Sequence, residues 1–263
     1  MMARTSWCAL LVLIADIGYK HGMFALMTIL LACGPKKLEA DPVAKSQAQA
    51  IFAKHVNAIG GEKPLLSHKS ARIEGKIRRM DIQEEYRFIT IKAAPDQLRT
   101  TVKTVSGDTA VQRGTDGRLF WIWSNGKYRK ASDVERQAIK VQADFYSELN
   151  MNRQYSTVFE ISDIQFGGRS CHAVLAQDKG GNMVEIYFDK EFGLKRGFSS
   201  WKPDKPEDKR WVRFGHYVDI KGTKIPFSIE EVQGSAQKLT LINSHKWDKP
   251  QKPIKAPKKL RRK

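Results

Sequence analysis

Cysteine is nearly absent. Of 263 residues only Cys8, Cys33 and Cys171 carry a thiol, too few for the disulfide framework of small exported domains. Long apolar runs are missing too. Trp7 to Gly18 and Met23 to Ala32 are separated by Tyr19, Lys20, His21 and Gly22, and neither reaches the roughly 20 residues that a membrane-spanning helix needs. Acid is scarce, with 28 Asp and Glu against 46 Lys and Arg, a formal charge of +18. No HExxH, GxSxG or P-loop pattern occurs, and the acid groups Glu84-Glu85, Glu230-Glu231 and Asp204 with Glu207 fall among basic or like-charged neighbours. His55, His68, His172, His216 and His245 are scattered without metal-ligand spacing. If Cys171 lies on a strand it is expected buried, and His172 then faces the other way, so the two form no nucleophile and base pair. The expectation is a protein without catalysis, metal or cofactor.

The N-terminus carries a positive signal. Leu30-Leu31-Ala32-Cys33-Gly34 resembles the lipobox of bacterial lipoproteins, in which a small residue precedes an obligatory cysteine whose thiol takes the diacylglycerol. The resemblance implies cleavage before Cys33, lipidation of Cys33 and attachment to a membrane; the alternative is a secretory leader or anchor with a chance cysteine. Translation could start at Met1, which supplies Arg4 and Lys20, or at Met23. Gly34-Pro35-Lys36-Lys37 and the residues to Asp41 read as a polar tether. The expected organisation is a leader over 1–32, a tether over 33–41, a domain over 42–245 and a basic Pro/Lys-rich tail over 246–263. Gly34, in place of the aspartate associated with retention in the inner membrane, leans towards the outer membrane, with the domain facing the periplasm.

Within the domain, Asp41-Pro42 offers an N-cap with proline at the first helical position, and apolar residues to Ile59 follow helical spacing before Gly60-Gly61. From Ser70 the texture changes: Ile73, Gly75 and Ile77 alternate with charged residues, the period of a strand with one wet face. Further strand-like runs are Glu85–Ala93, Gln97–Ser106, Leu119–Ser124, Val158–Phe166, Cys171–Gln177, Met183–Asp189, Leu194–Trp201, Trp211–Ile220, Lys224–Val232 and Gln237–Asn243. Turn signals such as Asn125-Gly126 and Gly167-Gly168 separate them. Ser132 to Leu149 interrupts as a second helix, with Ser132 and Glu135 placed for a capping box. Strands that follow one another without helical crossovers exclude a parallel doubly wound sheet. The expected fold is α+β, a curved antiparallel sheet forming an unclosed half β-barrel with helices over its concave side.

Five segments, taken in order, are similar to the LolA/LolB-like group of outer-membrane lipoprotein-sorting proteins. They are Asn57 to Gly61, Ala94-Pro95-Asp96, Gly114 to Trp121, Ile186 to Asp189 with Phe192-Gly193-Leu194, and Tyr217 to Pro226. The likeness implies an apolar cavity that receives acyl chains of lipoproteins or other lipids and does no chemistry on them. Tyr86, Phe88, Trp121, Trp123, Phe145, Trp201, Trp211 and Phe227 are the candidate cavity residues, with filling of an ordinary core as the alternative for each. Trp121 and Trp123, two apart on a strand, face one side and are the first choice for a cavity wall. The group's anchored member has a protruding apolar loop; here Thr104 to Gln112 is polar.

Nine basic residues and one acid, Asp248, lie between Lys246 and Lys263. With Pro250, Pro253 and Pro257 this tail is expected extended and disordered. It suits anionic lipid or lipopolysaccharide, or no dedicated partner, and an exported protein has little occasion to meet nucleic acid. Lys127, Arg129, Lys130, Arg136 and Lys140 could extend such a surface. The rival to a ligand carrier is a structural lipoprotein with a filled core that binds an anionic envelope partner.

Overall fold

The computed structural model describes residues 39–249 and 253–261. The leader, the lipobox with Cys33 and most of the tether lie outside the described residues. The first helix, α1 (Pro42–Ala58), begins where the sequence places it: the Asp41 side chain accepts the Val43 amide at 2.8 Å and Pro42 occupies the first turn. Ala44, Ala48, Phe52 and His55 make its buried face. Gly60 and Gly61 follow in the left-handed region (φ 119° and 89°). Gly60 lies so close to the Gly222 carbonyl that a Cβ would stand 1.8 Å from it, and only glycine permits that approach. A short helix, α2 (Glu62–Ser67), leads into the sheet.

Six strands run outward: β1 (Ser70–Arg79), β2 (Glu84–Ala93), β3 (Gln97–Lys103), β4 (Thr109–Thr115), β5 (Phe120–Ser124) and β6 (Lys127–Lys130). Two helices follow, α3 (Asp133–Ala143) and α4 (Met151–Gln154). Seven strands then return: β7 (Thr157–Phe166), β8 (Arg169–Gln177), β9 (Met183–Asp189), β10 (Lys195–Lys202), β11 (Lys205–Ile220), β12 (Thr223–Gln233) and β13 (Ala236–Trp247), before α5 (Lys258–Arg261). All pairings are antiparallel in one sheet of 13 strands, ordered β6-β5-β4-β3-β2-β1-β13-β12-β11-β10-β9-β8-β7. The two meanders are joined by β1 and β13, paired from Ala71↔Trp247 to Arg79↔Lys238 with an irregularity at Glu74/Gly75. β6 and β7 remain edges, so the sheet is an unclosed half-barrel, as the sequence predicts. The charged, exposed β6, Lys-Tyr-Arg-Lys, is an edge unsuited to pairing with another chain.

One face carries the helices. Phe52 and its helical neighbours pack on Val158, Val174, Ala176, Val184, Ile186 and Phe188. Ile139 and Ala143 of α3 pack on Leu98, Phe120 and Ile122. The sheet curls towards this face. Five strand steps separate β4 from β12, about 24 Å in a flat sheet, yet the Arg113 guanidinium on β4 senses the Glu231 carboxylate on β12 and Arg210 on β11.

Three expectations need correction. The second helix stops at Ala143, six residues short of Leu149. The Asp144 carboxylate accepts the Tyr146 amide and the Asn150 side chain, and the Phe145 amide turns away to the Pro95 carbonyl, a local alternative to helix that aspartate offers. Strands β4 and β6 were not expected, because neither alternates between apolar and polar residues. The basic tail is not wholly disordered: Lys246 and Trp247 close β13, and 253–261, with α5, lies on the convex face. There Ile254 and Ala256 are buried with Ile91 and Trp121, and the Ala256 amide donates to Asp116 at 3.1 Å. Two apolar residues at i and i+2 in a proline-rich segment suffice for a strap, despite the surrounding charge.

Candidate functional site

The concave face is the candidate site, and strand register says which residues reach it. From Ile186 on β9 the cross-strand row runs through Phe198 to Val212, and a second row runs Phe214, Ile229, Thr240, Ile77 and Tyr86. A third joins Gly75, Phe88, Val102 and Val111. Along each strand every second residue shares the face, which adds Phe227 and Ile242. Helix α1 lies along β7 and α3 along β3, β4 and β5. Between them, from β11 through β13 and β1 to β2, Ile77, Tyr86, Phe214, Phe227, Ile229 and Ile242 remain only half-buried. Phe88 is covered more fully because Gly75 opposite leaves room for its ring; a Cβ on Gly75 would stand 2.7 Å from it.

Under α3 the face deepens into a cavity of about 420 Å³, with Val102, Val111, Ile122 and Ile139 as its aliphatic wall and Arg113 at its lining. Ser132 caps α3 in a full capping box, its hydroxyl accepting the Glu135 amide while Glu135 accepts the Ser132 amide at 2.9 Å. Glu135 is also gripped by both Arg129 nitrogens at 2.6 Å, and this guanidinium, with the cap, holds its carboxyl down at about 2. Burial makes the charge of Arg113 less favourable, offset in part by Glu231.

Polar clusters close the ends. His55 of α1 contacts Glu148 at 3.2 Å through Nε2, and its Nδ1 accepts the Lys195 amide at 3.1 Å. Lys195 Nζ lies 2.7 Å from both Glu148 oxygens. Burial would raise the Glu148 pKa, but Lys195 and His55 outweigh it and keep the carboxyl well below the usual range. This clasp ties α1 and the 144–150 segment to β10. At the other end His68 stacks on Trp247 with centroids 4.4 Å apart and contacts Asp248 at 2.6 Å. His245 is buried beside them with both ring nitrogens unpartnered. Burial pushes its pKa down to about 4, helped by the nearby charges of Lys92 and His68. Among the described residues no group of three His, Cys, Asp or Glu is arranged to hold a metal, and none of the helices is long and apolar enough to cross a membrane.

The eight predicted aromatics divide between the faces. Tyr86, Phe88 and Phe227 are concave, and Phe145 covers one end of that side against Trp247. Trp121, Trp123, Trp201 and Trp211 are convex, away from the concave face on which the sequence led these cavity candidates to be expected. Trp121 and Trp123 do share a side, but register puts it opposite Arg113 and Ile122. Trp121, 1% exposed, lies over Gly114 beneath the strap. Phe166, Tyr187 and Trp211 form one stacked group, and Lys209 sits 4.4 Å from the Trp201 ring and 4.5 Å from Trp211. Cys171 is buried in the convex cluster under Phe166, and His172 points away from it. Three carboxylates of the acid pairs are taken up by ion pairs, Glu85 with Lys76 and Arg78, Glu230 with Arg213, and Glu231 with Arg210 and Lys238. Arg113, Phe214, Ile229 and Ile242 went unnoticed in the sequence, although the alternation Ile225, Phe227, Ile229 was there to be used.

No protein-family model matches the chain, and no curated protein matches it. Solved structures do. A LolA superfamily protein from Nitrosomonas europaea superposes with a TM-score of 0.54 at 11% identity, over 82% of this chain and 97% of that one. A DUF1329 family protein from Desulfovibrio piger gives 0.53 at 9% identity, over 76% and 92%. A putative outer membrane lipoprotein-sorting protein domain from Vibrio parahaemolyticus gives 0.52 at 8% identity, over 79% and 93%. The chain therefore has a LolA-like fold.

Proposed function

We propose that this protein is an exported envelope lipoprotein, anchored by lipid on Cys33, that holds acyl chains or another apolar ligand in its concave face and transforms nothing. The observation that carries this reading is the row of Ile77, Tyr86, Phe214, Phe227, Ile229 and Ile242 between two helices, which among the described residues stays only half-buried. A partly apolar concavity with a few charged groups is the common form of a small-ligand site. The fold shared with a lipoprotein-sorting domain and a LolA superfamily protein supports the same class of ligand, and transfer of lipid or lipoprotein towards the outer membrane is the role it suggests. Mass spectrometry of protein extracted gently from its native membrane tests both parts. The expected species starts at Cys33, carries acyl groups, and loses a second lipid on denaturation. An unlipidated, ligand-free chain would contradict the proposal.

A second reading has its own observation. The strap fixes the exposed Lys255, Lys258 and Lys259 to the convex side, which also displays Arg87, Arg99 and Lys103. Such a surface suits an anionic membrane or lipopolysaccharide. Binding of the domain to anionic vesicles that persists unchanged in high salt would refute this electrostatic attachment.

A further inference from the structure

The lining of the cavity under α3 contains three charged groups, and two of them satisfy each other. Arg129 and Glu135 form a closed bidentate pair. Arg113 is the third, and no hydrogen bond or ion pair holds it among the described residues. The acid it senses, Glu231, is occupied by Arg210 at 2.8 Å and by Lys238. Arg113 is thus a half-buried guanidinium without a partner among the described residues, beside an aliphatic wall. The planar fork of arginine matches two oxygens of a carboxylate or phosphate.

We infer that the ligand is an amphiphile with an anionic head, and that Arg113 binds its oxygens while the acyl chain lies along the concave row towards Phe88 and Phe227. The inference rests on the proposed lipid-binding function and specifies the ligand's chemistry. The cavity of about 420 Å³ falls within the usual span of roughly 300–1,000 Å³ for small-ligand sites. Selectivity follows from the same geometry, because a neutral head filling the cavity would displace water from the guanidinium without pairing it.

Equilibrium titration of the full chain with the fluorescent cis-parinaric acid and with its methyl ester tests this. The acid should bind about tenfold or more tightly than the ester, a discrimination typical of a buried polar partner left unsatisfied. Arg113→Gln should abolish the difference and leave ester binding intact, which also certifies that the variant is folded. Arg113→Lys should keep part of it. Displacement by lysophosphatidic acid in preference to oleate would assign the head as phosphate, and the reverse order as carboxylate. Equal binding of acid and ester by the unaltered chain would overturn the role of Arg113, as would an Arg113→Gln variant that loses both alike. Failure to bind either compound would sink the lipid-binding function itself.

Discussion

The two faces of one sheet use aromatic residues for opposite ends. On the convex face Trp121 lies over Gly114, Phe166 over Gly197, and the strap, with Ile254 and Ala256, seals the first of these. On the concave face Phe88 lies over Gly75, but Tyr86, Phe214 and Phe227 nearby have no helix along them. The same device of a ring over a glycine therefore finishes a core on one side and borders an open concavity on the other. What separates the faces among the described residues is where distant chain covers them: the strap seals Trp121 on the convex face while Trp211 there stays exposed, and the concave row lies between α1 and α3.

The largest expected effect falls on the convex side. Trp121→Ala should cost about 3–5 kcal/mol of unfolding free energy in urea titration while leaving acyl-chain affinity of the folded protein unchanged. Phe227→Ala should do the reverse, with a smaller stability loss and weakened binding; a binding loss from Trp121→Ala in the folded state would break the contrast. Next is a pH effect confined to the concave side. The pKa of His245 is lowered on folding, so above about 6.5 both states are neutral and nothing is lost. As pH falls towards about 4 the unfolded chain takes the proton first, and stability should drop by up to about 3 kcal/mol. His245→Phe should flatten the stability curve between pH 6.5 and 4.5, a window above that of the carboxylates. Gly114→Ala should cost about 1–3 kcal/mol by overpacking, since its Cβ would meet the Leu98 carbonyl at 2.4 Å and the Trp121 ring at 2.7 Å. Thermal unfolding would show a similar loss for Gly75→Ala, against Leu241 and Phe88, so an asymmetry between the two would sharpen the comparison. The smallest effect is Ser132→Ala, which removes the cap of α3 at about 1 kcal/mol and should appear as faster amide exchange in α3 with the sheet unchanged.

The fold was legible because it is built from local signals. Alternation located most strands, Asp41-Pro42 and Gly60-Gly61 bounded α1, and Ser132 with Glu135 marked the start of α3. Asn125-Gly126 marked the β5–β6 turn, where both residues have positive φ. What stayed hidden is non-local. Alternation shows that Trp121 and Trp123 share a face but not which face the helices will cover. Arg113 lies outside every strand that alternation locates, and the curl of the sheet brings Glu231 and Arg210 towards it. Strand β4 has no apolar alternation because its convex side carries Gln112 and Gly114, the latter contributing space for Trp121 in place of a side chain. The strap escaped because Ile254 and Ala256 are outnumbered by lysine, and burial of two small apolar groups depends on a groove that no local pattern reveals.

Photocrosslinking with a fatty acid that carries a diazirine on its chain, followed by peptide mass mapping, tests most directly that the concave face is the ligand site. Adducts are predicted on concave residues such as Ile77, Tyr86, Phe227 and Ile229. Adducts concentrated on Trp123, Trp201 or Trp211 would contradict the account and move the ligand to the convex face.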